Sequence, residues 1–107
     1  MSINTRQLSI KTGVVTRLVK EVQSYKDESE TTKAKADAME AAGEDEYEVR
    51  QQRRVAADSL QMIPDSEKRL AKAIAELEDL VASSEEELNG TQEYAKAKEA
   101  LRSANPQ

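Results

Sequence analysis

The chain has 107 residues, of which 35% are charged and 3% aromatic; it carries a net charge of −5 and contains three Gly, two Pro, no Cys and no His. That length suits a single helical domain over 1–107 and is too short for two independent cores. The missing Cys and His exclude a disulfide framework and a His/Cys metal site, and the acidity argues against a nucleic-acid or membrane partner. The opening MSINTRQLSI has no apolar h-region, and no stretch approaches the roughly 18 to 20 apolar residues of a membrane span, so the expected location is the cytoplasm.

The first periodic segment covers about residues 5–42. Its heptad stripe is Leu8, Val15, Val22, Ser29 and Ala36, with companions Lys11, Leu18, Tyr25, Thr32 and Met39. The first half is a good apolar seam and the second half is weak. Thr5 is the expected N-cap and Gly43 the expected residue just past the helix end. Gly13 lies inside the helix, where it costs about 1 kcal/mol against Ala. It reads either as a tolerated surface glycine or as a point of close backbone approach.

The second segment covers about 46–82. Its stripe is Val49, Arg53, Ala56, Leu60, Ile63, Glu67, Leu70, Ile74, Leu77 and Val81, interrupted only by Arg53 and Glu67. Pro64 sits in the middle, where it removes one backbone hydrogen bond and costs about 3 kcal/mol. Either the helix ends there or it continues with a kink. Ile63 and Leu70 keep one heptad phase across the proline, which favours the kink. Ser83–Glu87 is polar, and Leu88-Asn89-Gly90 reads as a turn. A short third helix is expected over 91–104, capped by Thr91, with the stripe Tyr94, Ala97, Leu101 and Ala104; Asn105-Pro106-Gln107 should fray.

Short connections make neighbouring helices antiparallel. The expected fold is therefore an all-α, elongated antiparallel three-helix bundle of coiled-coil type, with helices near 50 Å, about 1.5 Å per residue. The short third helix can complete a core only with Leu8, Val15, Leu18, Leu70, Ile74, Leu77 and Val81. The stretch 27–62 is left as a two-helix hairpin, expected to be the more dynamic part.

Without His or Cys, catalysis would fall to Asp, Glu, Lys, Tyr or Ser, and the sequence arranges none of them in a recognisable constellation. There is no Gly-rich phosphate loop or EF-hand loop. The expectation is a protein that is not an enzyme, uses no cofactor, metal or small-molecule substrate, and acts by binding another protein. Tyr25 and Tyr94 read as core edge or as contact anchors, and Met62 as gap filler or adaptable contact surface. Charge alternates in blocks: residues 49–72 hold six basic and three acidic side chains, while residues 27–48 hold two basic and nine acidic ones.

Three separated segments carry a family resemblance: IKTGVVTRLVKE at 10–21, EYEVRQQRRVAADSLQMIPDSEKRL at 46–70 and QEYAKAKEAL at 92–101. In order and spacing they resemble the tubulin-binding cofactor A family, and MIPDSEKRL at 62–70 is the most specific of the matches. The resemblance implies a three-helix bundle kinked at the Ile-Pro-Asp step. It also implies a chaperone that binds β-tubulin after chaperonin release, on the way to the αβ heterodimer. β-Tubulin is expected to be acidic, so the candidate contacts are the basic residues Arg17, Lys20, Arg50, Arg53, Arg54, Lys68 and Arg69. The alternative is a coiled-coil scaffold or regulatory three-helix module without a chaperone role. Monomer and homodimer both remain open.

Overall fold

The structure is a computed structural model that describes residues 2–105. It contains three helices: α1 (Ile3–Ala41), α2 (Glu46–Leu88) and α3 (Gln92–Ala104). There is no strand among the described residues. Pro106 and Gln107, expected to fray, lie outside the described residues.

The helix ends follow from their capping chemistry. α1 begins earlier than expected, because the capping group is Ser2 and not Thr5. The Ser2 hydroxyl accepts the Thr5 amide at 3.1 Å, and the Ser2 carbonyl accepts the Arg6 amide at 3.0 Å. At the other end Gly43 has φ +72°; its amide bonds to the Glu40 carbonyl, and the Glu44 amide reaches the Met39 carbonyl. This is the Schellman arrangement that a left-handed glycine permits. Asp45 then opens α2 by accepting the Glu48 amide at 3.3 Å. Thr91 opens α3 as expected, with an extended backbone and its hydroxyl accepting the Tyr94 amide.

α2 runs through Pro64 without ending. Pro64 is exposed, and so is Leu60, whose carbonyl loses its amide partner; water can satisfy that carbonyl. α2 also continues past Ala82 to Leu88, so the polar run Ser83–Glu87 is helical. Two buried residues, Ser84 and Leu88, hold this last part in place.

The chain divides into two compact units. One comprises the residues up to Lys20 and from Lys68 onward; the other is Glu21–Glu67. In the terminal unit, α1 and α2 run antiparallel: Asn4 bonds Glu87 at 2.9 Å and Lys11 pairs with Glu76 at 3.8 Å. α3 follows the direction of α1, with Ser9 and Thr12 beside Glu93 and Lys96, and Val19 beside Ala100 and Ser103. The three helices enclose Leu8, Val15, Leu18, Ala73, Leu77, Val81, Leu88, Tyr94 and Ala97, with Leu70, Ile74 and Leu101 packed against them. Burying a large aliphatic side chain stabilises by about 1.5–3 kcal/mol, so this cluster carries substantial stability. Gly13 is exposed and a Cβ there would meet nothing, which leaves it as a tolerated surface glycine.

The hairpin unit has two helices only, also antiparallel: Lys26 pairs with Glu67 at 3.5 Å, and Arg53 with Asp37 at 3.0 Å. Here the expected stripe of α2 needs correction. The inward positions are Val49, Gln52, Ala56 and Ile63, all half-buried, with Ser59 and Ser66 buried; Arg53, Leu60 and Glu67 are exposed. Polar residues one position earlier, Gln52, Ser59 and Ser66, take the seam, and the charged side chains stand at the flank, where Arg53 and Glu67 reach partners of opposite charge on α1. Ser66 is fully buried and donates its hydroxyl to the Ile63 carbonyl at 2.9 Å. On α1 the expected stripe does face inward: Val22 and Ala36 are buried, and Tyr25, Ser29, Thr32 and Met39 half-buried. Gln52 bonds the Thr32 carbonyl at 3.1 Å across the seam.

Candidate partner-binding surface

A helical pair buries a seam and leaves two flanks and an outer face. The flank of α2 just C-terminal to the seam carries Arg53, Leu60, Glu67, Ile74, Val81 and Leu88. In the terminal unit its members Ile74, Val81 and Leu88 belong to the cluster that includes Tyr94, Ala97 and Leu101 of α3. In the hairpin unit, which has no third helix, Leu60 is 58% exposed. Ion pairs stand on either side of it in sequence. Lys26 meets Glu67, and Arg53 reaches both Asp37 and Glu40 with separate guanidinium nitrogens. Lys33 adds a second cation to Asp37 at 3.4 Å. The hydrogen bond from Arg53 holds the Asp37 carboxyl below the ordinary carboxylate range. Its bonds to Glu40 and then to Asp37 raise the already high pKa of Arg53.

These contacts separate the seven basic candidates. Arg17, Lys20, Lys68 and Arg69 belong to the terminal unit, and Arg50, Arg53 and Arg54 to the hairpin unit. All seven are exposed. Arg17 and Lys20 lie three residues apart on α1, and Lys68 and Arg69 are adjacent on α2. Arg50 and Arg54 lie one turn apart on α2, on the side away from the seam. Arg53 differs from Arg50 and Arg54: its charge is already compensated by two carboxylates of α1. Its place on the sequence stripe, hard to explain by packing alone, is explained by this cross-helix clamp.

Sequence reasoning did not foresee how much apolar surface α2 shows within the hairpin unit. Tyr47, Val55, Leu60 and Met62 are all well exposed. Val55 and Met62, one heptad apart, sit on the flank opposite Leu60. The signal for them was present in the sequence as two apolar residues repeating seven apart just outside the core positions. Tyr94 is buried and Tyr25 half-buried, which leaves Tyr47, beside Arg50 and Arg54, as the outward-facing tyrosine of the described residues.

The family model described as Tubulin binding cofactor A matches residues 4–101. The chain belongs to that family. A tubulin-specific chaperone A of Gallus gallus is 40% identical over 98 residues, covering 92% of this chain and 90% of that protein. A tubulin-folding cofactor A of Arabidopsis thaliana is 44% identical over 81 residues, covering 76% and 72% of the two chains. Solved structures agree. The crystal structure of tubulin folding cofactor A from Arabidopsis thaliana superposes with a TM-score of 0.88 at 39% identity, over 94% of each chain. Human tubulin chaperone cofactor a gives a TM-score of 0.79 at 36% identity, over 94% of this chain and 96% of that one. The three motifs at 10–21, 46–70 and 92–101 thus lie within the matched family region, and a cofactor A fold of three helices accounts for their order and spacing.

Proposed function

We propose that this chain is a non-catalytic tubulin-folding cofactor that binds β-tubulin after its release from the chaperonin and holds it until the αβ heterodimer assembles. The observation that carries this reading is the family match across 4–101, joined to two solved cofactor A structures that cover nearly the whole chain. The chemistry is consistent with it. Freshly released β-tubulin exposes apolar surface that its partner subunit later covers. A helical protein with a charged exterior and apolar side chains exposed on more than one face, Leu60 on one flank and Met62 on the other, can contact such a surface and keep it soluble. Release then proceeds by competition with the next cofactor, with no hydrolysis and no bound cofactor or metal. The place of action is the cytoplasm, alongside the microtubule cytoskeleton.

The basic residues proposed to meet the acidic client are Arg50 and Arg54, with Arg17, Lys20, Lys68 and Arg69 as further contacts. Arg53 contributes by bracing the helices that present Arg50 and Arg54. The test is a pull-down from cytosol with this chain as bait, blotted separately for α- and β-tubulin. Retention of β-tubulin and not of α-tubulin is expected, and joint reversal of Arg50 and Arg54 to Glu should lower it. Retention of neither tubulin, or of both equally, overturns the reading.

A further inference from the structure

The two flanks of the hairpin unit differ in one respect that the family match does not explain. On the Leu60 flank three carboxylates are paired: Glu67 has Lys26, Asp37 has Arg53 and Lys33, and Glu40 has Arg53. On the opposite flank a groove of about 280 Å³ runs between α1 and α2, lined by Glu28, Val55, Asp58, Ser59 and Met62. Val55 is 47% and Met62 43% exposed. The charged residues lining the groove, Glu28 and Asp58, are both acidic, and neither pairs with a cation among the described residues.

Apolar residues one heptad apart repeat at the spacing a helix presents along one face, so the shape suits a helix laid lengthwise. Unpaired carboxylates beside apolar surface select a segment whose apolar residues are accompanied by Lys or Arg. Met62 adds an adaptable, polarisable contact. We infer that the Val55–Met62 groove is the docking site for a basic amphipathic helical segment of the protein client. This rests on the reading that the chain works by holding a client. It concerns a surface distinct from the arginines, one that takes the opposite charge. The chain therefore offers a cationic outer face at Arg50 and Arg54 and an anionic groove at Glu28 and Asp58, and a client helix is selected by the second.

The test uses the full chain, isotope-labelled for NMR and titrated with a Leu/Lys amphipathic helical peptide, with a Leu/Glu peptide of the same pattern as control. Shift changes centred on Glu28, Val55, Asp58 and Met62 are expected for the Lys peptide only. Val55→Ser with Met62→Ser removes two half-covered apolar side chains; the variant should keep its helical circular dichroism at 25 °C while binding weakens about tenfold. Glu28→Gln with Asp58→Asn should weaken it about threefold at low salt, with the difference collapsing at high salt. Shifts spread evenly over the chain, or equal binding of the Glu peptide, overturn the inference. So does a dimer seen by light scattering that the Val55/Met62 double variant abolishes, which would give the groove to a second copy. β-Tubulin retention measured in parallel separates the two readings. A wild-type chain that retains none sinks the client reading, while the titration still judges the groove. Retention that the double variant matches overturns the groove alone.

Discussion

In the terminal unit, the positions flanking the α2 seam are Ile74, Val81 and Leu88, and a third helix closes over them. In the hairpin unit the same flank reads Arg53, Leu60 and Glu67, with ion pairs to α1 in place of a helix. The seams differ likewise. Leu8, Val15, Ala73 and Leu77 fill the first, whereas the second has Val22 and Ala36 as its buried apolar side chains, among the described residues, next to buried Ser59 and Ser66. One heptad pattern thus serves two purposes. Where large apolar residues occupy the seam and one flank, three helices form a core. Where polar residues such as Ser59 and Ser66 occupy the seam, two helices pair without a third and their flanks stay available.

The comparison is broken most directly by truncation in each unit. Leu77→Ala removes a fully buried side chain and should destabilise by about 3 kcal/mol in denaturant melts. Leu60→Ala, in the hairpin, should cost no more than about 0.5 kcal/mol. Equal losses would mean that the hairpin flank is packed after all.

The small-residue seam is sharpened next. Ser66→Leu should cost about 1–3 kcal/mol by overpacking, even though it adds apolar surface, and circular dichroism melts would register it. Hydrogen exchange separates the units without mutation: amides across 27–62 should exchange faster than those at terminal-unit seam positions such as Val15 and Leu77. A smaller effect of opposite sign is expected at Gly13→Ala, which should stabilise by about 1 kcal/mol because the new methyl meets nothing.

The smallest effect concerns the Arg53 clamp. Asp37 titrates below its ordinary value of 3.8, so its contribution is present at neutral pH and is lost as pH falls through that lowered value. The melting-temperature difference between wild type and Asp37→Asn should therefore be small at neutral pH and vanish in acid. It should also shrink with added salt, since both partners face solvent.

Much of this was legible in the sequence. The helix count, the antiparallel pairing, Gly43 and Thr91 as end signals, the inward stripe of α1 and the passage of α2 through Pro64 all follow from local rules: periodicity, capping and loop length. Errors arose where a local rule had a close competitor. Thr5 and Ser2 are both capping residues, and only the hydrogen bonds choose Ser2. The polar run Ser83–Glu87 looks like a loop until Ser84 and Leu88 are seen buried. Among the candidate site residues, the sequence marked Arg53 as anomalous, but its partners Asp37 and Glu40 lie on another helix.

By itself, then, the amino-acid sequence determined three amphipathic helices, their order and their direction, because seven-residue spacing and capping act over a few neighbouring residues. Only the tertiary structure decided which of two adjacent stripes on α2 is buried, since Ser59 and Leu60 differ by one position and hydrophobicity alone favours the wrong one. That choice depends on what α1 and α3 bring against each turn. Where α3 is present the flank is covered, and where it is absent Arg53 and Glu67 pair with α1 at the flank, Ser59 and Ser66 take the seam, and Leu60 remains at the surface.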